Sequence, residues 1–494
     1  MRAANAKGRR FDCPVNSTHP HARCSSAAVG RTRSFHRPET ASWVRETRTA
    51  ARSATHIGNL AHNKAPTYCR NAISWLRSIG KMSAFLETPS RIEPCFLEGD
   101  IPRPIADLVV DIHAASADLG KSLHPDSAAE LAEFVRVMNC YYSNLIEGHD
   151  TRPKDIELAL AGAELEDETR PLALEARAHV QVHREIDALH REGRLPSPTS
   201  VEFILWVHRR FYEEMPEEFR CVHLPGGRSG EIVPGRFRNK TEHDVTVGRH
   251  HPPSSEVVVD FMSHFAKRFA MAEAWASTRV IAIAAAHHRF NYIHPFVDGN
   301  GRVSRLVAHA MALRAGIGGK GLWSISRGLA RGLEEKGEYK RMMDHADMPR
   351  QGSRDGRGNL SETALRTFCL WFLSVALDQV RFTSAAFRFE TLEDRYRKLL
   401  RDLGHDAKAG ELVSTALRFG EMERGRAALV LGVSERTARS TLSKLVEEGF
   451  MKSRTPKSPV RVAFPLDHRD RLFPSLFADH KIEAPAPPSF RFGV

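Results

Sequence analysis

A loop between two apolar helical stretches constrains this chain more than any other feature of its sequence. Residues 279–290 and 303–314 repeat apolar side chains at helical spacing, and the segment 293–305 (IHPFVDGNGRVSR) connects them. The loop therefore runs into a helix N-terminus, where the first backbone N–H groups lack intrahelical acceptors and the helix dipole is positive. Such a helix end favours an anion.

The side chains of this segment suit a polyphosphate in particular. Two glycines let the backbone approach an anion closely, and two arginines three positions apart share one face of the second helix. His294 adds an imidazole, which can take the proton of a serine, threonine or tyrosine hydroxyl. Asp298 adds a carboxylate, and a magnesium carboxylate with two arginines would neutralise the charge of a phosphoryl-type transfer.

At these residues the chain resembles the Fic family, whose signature is His-Pro-Phe-x-Asp/Glu-Gly-Asn-Gly-Arg-x-x-Arg, and every defined position matches. Members of that family typically transfer AMP from ATP onto a protein hydroxyl. The resemblance implies that His294 is the base for the target hydroxyl and that Asp298 holds a Mg²⁺ ion bridging the phosphates of the substrate ATP. It implies these roles for the other positions: Phe296 anchors the loop in the core, Gly299, Asn300 and Gly301 line the anion nest, and Arg302 and Arg305 neutralise phosphates.

Two further histidines, His287 and His288, precede the loop and suggest a metal site at first sight. The sequence has no Cys or Glu at matching helical spacing around them, which such a site would need. We therefore predict that His287 is a structural histidine of the core.

A second motif lies upstream, at the end of a predicted helix over 130–148 (ELAEFVRVMNCYYSNLIEG) that has Gly148 as its C-cap. Ser143 and Glu147 are four positions apart and share a face. A carboxylate at a helix C-terminus faces the negative end of the dipole, so Glu147 should require a cationic partner elsewhere. The hexapeptide 143–148 (SNLIEG) resembles the Fic inhibitory motif Ser/Thr-x-x-x-Glu-Gly/Asn. The resemblance implies that Glu147 pairs with Arg305 and blocks productive placement of the ATP γ-phosphate.

The basic residues are concentrated at the start of the chain. Residues 1–81 contain 15 Lys/Arg and 3 Asp/Glu, which accounts for the net charge of +12 of all 494 residues. The remaining residues are balanced, so the body of the chain is not a basic protein. The first 81 residues have little apolar periodicity and lack the apolar run of a secretion signal, which predicts a disordered basic tail. They are either similar to an organellar transit peptide or a mis-assigned start, with Met82 as the true one; we favour the second interpretation.

The cysteines indicate a reducing environment. The seven cysteines are scattered without a CxxC pair, and Cys140 and Cys369 lie in apolar helices, where we expect buried thiols. The longest apolar runs are shorter than the ~18 residues that span a bilayer. We therefore expect a cytoplasmic protein without a membrane segment.

The pattern of elements predicts a mostly α fold, a Fic-type helical bundle with a β-hairpin flap and a C-terminal winged helix-turn-helix. The predicted regions are 82–200 with the inhibitory helix, 201–380 as catalytic core, 381–404 as connecting helix, 405–465 as winged helix and 466–494 as tail. The flap is predicted over 226–253, which is rich in Gly, Pro, Arg and His and has extended alternation near 245–247. By resemblance it would hold a target protein segment through strand-like pairing.

The winged helix is predicted from a helix over 426–431, a turn at 432–434, a second helix over 435–448 and a hairpin over 451–464. Basic residues on the second helix and the wing could contact phosphates of DNA through 426–461. Such modules also bind proteins or form dimers, so DNA, another protein and a second copy of the chain stay open as partners.

Together these features predict a protein adenylyltransferase that moves AMP from ATP to a Ser, Thr or Tyr hydroxyl and is autoinhibited by Glu147. Two alternatives remain. In one, Glu147 activates water to remove AMP from a modified protein. In the other, the chain is a DNA-binding regulator whose Fic body senses a nucleotide.

Overall fold

α-Helices make up most of the residues that the structure describes, which confirms the predicted mostly α fold. The computed structural model describes residues 88–95, 101–149, 151–162, 170–224, 228–272, 275–319 and 321–477. The predicted basic tail and the Pro-rich stretch 483–490 lie outside these residues. No described helix has both the length and the apolar character that crossing a bilayer requires.

The helices in chain order are α1 Arg103–Asp118, α2 Pro125–Glu147, α3 Pro153–Leu160, α4 Arg170–Arg191, α5 Val201–Tyr212, α6 Val258–Ala272, α7 Ala276–Ile293, α8 Asn300–Arg314, α9 Ile325–Arg331, α10 Glu338–Ala346, α11 Glu362–Ala386, α12 Phe389–Asp402, α13 Ala409–Phe419, α14 Ala427–Leu431, α15 Glu435–Glu447 and α16 Arg469–Leu472. The strands are β1 Cys221–Leu224, β2 Arg228–Glu231, β3 Met451–Lys452 and β4 Arg461–Val462. They form two antiparallel pairs, β1 with β2 and β3 with β4.

Helices α7 and α8 form the centre of the fold. Thirteen of the 18 residues of α7 and thirteen of the 15 residues of α8 are buried, so both helices are enclosed on all sides rather than on one apolar face. Helices α1, α6 and α11 contact α7, whereas α2, α4 and α5 contact α8. His287 is buried in α7, with Nε2 2.8 Å from the hydroxyl oxygen of Tyr339, which confirms it as a core histidine.

Helix α2 ends where the sequence predicts. Gly148 follows it with a left-handed backbone at φ 89°, a conformation that glycine adopts without strain from a Cβ. Its N–H donates to the carbonyl oxygen of Leu145 at 3.1 Å and satisfies one of the last carbonyls of the helix. The C-terminal turn of α2 thus points Glu147 at the start of α8.

The flap hairpin begins earlier than the sequence predicts. Strands β1 and β2 pair with Cys221 opposite Glu231, so the first strand precedes the predicted range 226–253. Between 232 and 253 the described chain forms no strand, only turns, a short 3-10 helix at Thr241–His243 and an isolated bridge between Val247 and His250. The Gly-Gly pair at 226–227 between two short extended runs is the sequence signal that would have predicted the pairing of β1 with β2.

The C-terminal region matches the predicted element order, but its tail begins later. Helices α14 and α15 are followed by the two-residue strands β3 and β4, whose identity as a winged helix stays a prediction. The predicted tail from 466 is wrong for residues 466–477, because Leu472, Phe473 and Leu476 are buried. Phe473 packs on Phe134 of α2 with ring centroids 4.7 Å apart, and the hydroxyl of Tyr142 donates to the carbonyl of Leu476 at 2.9 Å. This segment therefore packs against the helix that carries Glu147.

Candidate active site

His294 is the first residue after α7 and adopts a left-handed backbone conformation with φ 50°. A residue other than glycine is strained there by roughly 1–3 kcal/mol, so neighbouring groups must hold it. The guanidinium of Arg238 does so: Nε donates to the carbonyl oxygen of His294 at 2.8 Å, and Nη2 donates to that of Ile293 at 3.2 Å. Arg238 is 1% exposed and forms an ion pair with Asp244 at 3.0 Å. The position of the imidazole thus depends on a residue of the segment before α6.

The imidazole of His294 is held in its neutral form. Burial lowers the pKa of His294 to about 3, and the positive charges of Arg238 and His250 add to the shift. At neutral pH the ring therefore has a free lone pair. A neutral imidazole is the form that can take a proton from a hydroxyl.

Phe296 and Asn300 fix the shape of the loop. Phe296 is fully buried and stacks on His208 of α5, with ring centroids 3.9 Å apart. The Asn300 side chain closes the loop: Oδ1 accepts from the N–H of Phe296 at 2.8 Å, and Nδ2 donates to the carbonyl oxygen of Phe296 at 2.9 Å. The amide of Asn300 is therefore engaged with the loop itself, which leaves its backbone N–H to face an anion.

Asp298 lies beside the N-terminus of α8 with 38% of its side chain exposed. Its Oδ2 accepts from the hydroxyl of Tyr212 at 2.8 Å and from Nη2 of Arg302 at 2.7 Å. Burial raises the pKa of Asp298, and the hydrogen bonds from Tyr212 and Gly299 oppose that rise. A partly exposed carboxylate oxygen of this kind is the ligand type that magnesium prefers.

Arg302 is almost fully enclosed, at 3% exposure. Besides Asp298, it forms an ion pair with Glu175 of α4, and its guanidinium lies 5.4 Å from the ring centroid of Phe211. Burial lowers the pKa of Arg302 to about 10, with the negative charge of Glu147 opposing the shift, so the group stays positive at neutral pH. The side chain lines the cleft described below, where an anionic ligand would meet it.

Glu147 and Arg305 form the ion pair that the inhibitory motif implies. Nη2 of Arg305 donates to Oε1 of Glu147 at 2.6 Å. Ser143 adds two acceptors, since Nε of Arg305 donates to its Oγ at 2.8 Å and Nη2 donates to its carbonyl oxygen at 3.1 Å. Burial alone would raise the pKa of Glu147, but the charges of Arg305 and Arg302 outweigh it and the pKa is lowered. The carboxylate is therefore ionised and Arg305 is fully engaged with α2.

Both glycines of the loop are needed for close approach. Gly299 precedes α8 with φ 80°, and a Cβ there would lie 2.8 Å from the ring of Tyr212. A Cβ on Gly301 would collide with the carboxylate of Glu147 and lie 3.0 Å from Nη1 of Arg305. The end of α2 can therefore reach the start of α8 only because position 301 lacks a side chain.

These groups face one cleft of about 670 Å³. Its lining includes three charged side chains, from the loop and from the end of α2, together with residues of β1 and of 245–247. The residues that matter for the chemistry are Glu147, His294, Asp298 and Arg302. Arg305 does not line this cleft, which agrees with its engagement by Ser143 and Glu147.

Three residues of the site were not found from the sequence. Tyr212 donates to Asp298, Glu175 pairs with Arg302, and Arg238 holds His294. Their partners lie 86, 127 and 56 positions away along the chain. Arg238 lies within the predicted flap range 226–253, but its burial is a property of the fold.

Comparisons with known proteins agree on one family. A model of the Fic/DOC family matches residues 198–312. The protein adenylyltransferase Fic of Aedes aegypti is 38% identical over 90 residues, which are 18% of this chain and 17% of that protein. The protein of the same name from Drosophila melanogaster is 38% identical over 91 residues, 18% of each chain. The chain thus matches less than a fifth of the length of these relatives.

Solved structures of similar proteins are distant. A Fic family protein from Desulfovibrio desulfuricans G20 is 17% identical, with a TM-score of 0.41 over 76% of this chain and 99% of that chain. A Fic-1 fragment from C. elegans is 14% identical, with a TM-score of 0.40 over 57% of this chain and 71% of that chain.

Proposed function

Because this chain is a Fic-domain protein, we propose that it transfers AMP from ATP onto a hydroxyl side chain of a target protein. One observation carries the proposal: the neutral imidazole of His294 and the carboxylate of Asp298 line a single cleft beside the N-terminus of α8. That arrangement combines a proton acceptor with a metal-binding oxygen and an anion-binding helix end. Each is needed when a hydroxyl attacks a phosphate.

The nucleotide would bind with its phosphates at the start of α8. The N–H groups of Asn300 and Gly301, in the first turn of α8, lack intrahelical acceptors, and Arg302 lines the cleft next to them. The donor set fits magnesium, since Asp298 offers a partly exposed oxygen in the cleft. When bound, magnesium would neutralise phosphate charge and leave the other contacts to the protein.

The target hydroxyl would enter from the flap side of the cleft, where β1 and residues 245–247 form the wall. An extended target segment is held there by backbone pairing. The hydroxyl oxygen attacks the α-phosphorus while the bond to the β-phosphate oxygen breaks, pyrophosphate leaves, and the proton passes to the imidazole of His294. Arg238 holds that imidazole in place through the carbonyls of 293 and 294.

We further propose that Glu147 restrains this reaction. Arg305 donates to Glu147 and Ser143 instead of to a phosphate. A γ-phosphate would have to displace the carboxylate to reach the guanidinium. ATP is then held in a pose unsuited to transfer, and removal of the carboxylate restores the productive pose.

Hydrolysis, in which water removes AMP from a modified protein and restores its hydroxyl, is a second candidate because Glu147 lines the same cleft as His294. A water molecule there would need a base. The positive charges around Glu147 lower its pKa, which makes the carboxylate a weak base and favours the inhibitory role.

The test uses the full chain with Glu147→Gly, incubated with magnesium and ATP that carries a label on either the α- or the γ-phosphate. We expect incorporation of the α-label into the chain itself or into lysate proteins, none of the γ-label, and AMP on a hydroxyl residue by mass spectrometry. Transfer of the γ-label would identify a kinase and contradict the proposal. So would the absence of any incorporation together with release of AMP from a pre-modified target, which would identify the hydrolase.

A further inference from the structure

A second cluster of reactive side chains lies buried one turn beyond Arg305. His309 of α8 faces His183 and Asp187, which are four positions apart on α4. The two Nε2 atoms are 3.0 Å apart, and Nε2 of His309 is 2.7 Å from Oδ1 of Asp187. One ligand atom from each residue lies within 4.8 Å of the other two. None of the three residues lines the cleft, so the cluster is separate from the proposed active site.

Hydrogen bonds alone serve this cluster poorly. The Nε2 atom of an imidazole has one in-plane bonding direction, which carries either a hydrogen or a lone pair. His309 Nε2 nevertheless has two partners, His183 and Asp187, at hydrogen-bonding distance. It can direct a good bond to only one of them, and the other contact then lies buried without a proper partner. A cation placed between the three atoms gives each of them its own bond.

Contacts on the far side of two of these side chains fix their orientation. Oδ2 of Asp187 accepts from Nε and Nη2 of Arg136 at 2.9 and 2.6 Å. Nδ1 of His183 lies 3.2 Å from the side-chain amide of Asn139, whose other end contacts the hydroxyl of Ser324 at 2.5 Å. For Nε2 of His183 to carry the lone pair that a metal needs, Nδ1 must carry the hydrogen, and the Asn139 amide must turn its oxygen to accept it. Such outer contacts fix the orientation of ligating side chains so that their free atoms converge. Here the convergence point lies between α4 and α8.

Burial suits a metal, because all three side chains are at most 8% exposed. His179, one turn earlier on α4, is also fully buried, and neither of its ring nitrogens has a partner among the described residues. The region therefore holds more imidazole nitrogen than its hydrogen bonds use.

We infer that His183, Asp187 and His309 form a buried site for one divalent transition-metal ion, for which zinc is the best fit. Two imidazoles and one carboxylate are a common zinc donor set, and ring nitrogens make the harder ions calcium and magnesium poor occupants. The ion would join α4 to α8 directly behind Arg305. Its role is structural, because it stabilises the two helices that hold Glu175 and the arginines.

The test measures metal in the full chain, prepared without a histidine tag from cells grown with added zinc or cobalt. We expect about one metal ion per chain by elemental analysis, and the visible absorption of tetrahedral cobalt in the cobalt form. His183→Gln and His309→Gln should each lose the ion, whereas His190→Gln, a partly exposed histidine at the end of the same helix, should keep it.

Two outcomes would overturn the inference: a metal-free chain from both media, or metal content that is equal in the wild type and both glutamine variants. If the variants do not fold, the wild type still decides. Extraction of the ion by a chelator during partial unfolding should lower the melting temperature on refolding, and re-addition of zinc should restore it. If neither the chelator nor added zinc changes the melting temperature, the three side chains form only a hydrogen-bonded network and the inference is wrong.

Discussion

Arg302 and Arg305 lie one turn apart on α8 and are both almost completely buried, but different parts of the molecule hold them. Arg305 is held by the last turn of α2, through Ser143 and a Glu147 that is 32% exposed. Arg302 is held by Glu175, inside α4 and 6% exposed, and by the loop's own Asp298. Helix ends fray more easily than helix interiors. The ion pair at Arg305 thus depends on the last turn of a helix, whereas the ion pair at Arg302 depends on a buried residue inside a helix.

The arginines are proposed to bind phosphates, and His294 is proposed to take the proton of the target hydroxyl. Removal of His294 should therefore have the largest effect on transfer. In a Glu147→Gly background, His294→Ala should lower the rate of AMP transfer by ~10²–10⁴. ATP binding, measured by calorimetry, should change little, because the phosphate contacts come from α8. Since burial lowers the pKa of His294 to about 3, the rate should not fall as the pH is lowered through 6.5, the ordinary value for histidine. Near-normal transfer by the alanine variant would remove His294 from the mechanism.

Removal of the carboxylate that holds Arg305 should increase AMP transfer. Glu147→Gly should raise incorporation of labelled AMP on the order of 10- to 100-fold, because the guanidinium becomes free for the γ-phosphate. Glu147→Gln keeps the shape but not the charge and should activate less. In the double variant, Arg305→Ala should cancel the gain. A Glu147→Gly protein no more active than the wild type would contradict the inhibitory assignment.

The ion pair between Glu147 and Arg305 should stay intact in moderate acid. The pKa of Glu147 is lowered from its ordinary 4.5, so its ionised form, and the stability it contributes, persist above that pH and are lost only as the pH falls through the lowered value. Activity of the wild type between neutral pH and about 5 should therefore show no activation step that the Glu147→Gly variant lacks. An activation step in that interval would mean that Glu147 titrates with a raised pKa.

The ion pairs of Arg302 and Arg305 also differ in how far the sequence could predict them. The partners of Arg305 belong to a local motif, since Ser143 and Glu147 share one helix face. A carboxylate at a helix C-terminus also needs a cationic partner. The Arg302 side depends on tertiary packing. Glu175 is one of three acidic residues in its helix, with Glu185 and Asp187, and no local rule separates it from them before the fold is known. The loop itself was predictable because glycines and a helix start have short-range signals.

The flap and the C-terminal tail show the same limit. The hairpin of β1 and β2 has strands of four residues, too short for alternation to outweigh the irregular stretch after it. Residues 466–477 were predicted as part of the tail, yet Phe473 packs on Phe134 of α2 and the carbonyl of Leu476 accepts from Tyr142 of the same helix. On the predicted wing, Lys452 pairs with Glu130 and Arg461 pairs with Glu421, so contacts within the protein engage two of the cations proposed for DNA.

The free energy of unfolding tests whether the buried ion pair of Arg302 stabilises the protein more than a surface ion pair does. Glu175→Gln removes a buried charge from beside Arg302 and should lower the free energy of unfolding by about 2 kcal/mol, without activating the enzyme. Glu185→Gln on the same helix is the matched control. Glu185 pairs with Arg210 at 24% exposure, and loss of such a surface pair should cost about 0.5 kcal/mol. Equal costs for the two variants in urea unfolding would show that the Arg302 pair is no more permanent than a surface contact.

The smallest change tests whether Ser143 shares the work of Glu147. Ser143→Ala deletes the Oγ that accepts from Nε of Arg305 at 2.8 Å, but leaves the carbonyl contact and the carboxylate in place. The lost hydrogen bond should cost about 1 kcal/mol of stability, and transfer should rise by less than about tenfold, since Glu147 still holds the guanidinium. Ser143→Thr keeps the hydroxyl and should restore both values. If Ser143→Ala activates as strongly as Glu147→Gly, the orientation of Arg305 by the hydroxyl, rather than its charge pairing, is what closes the site.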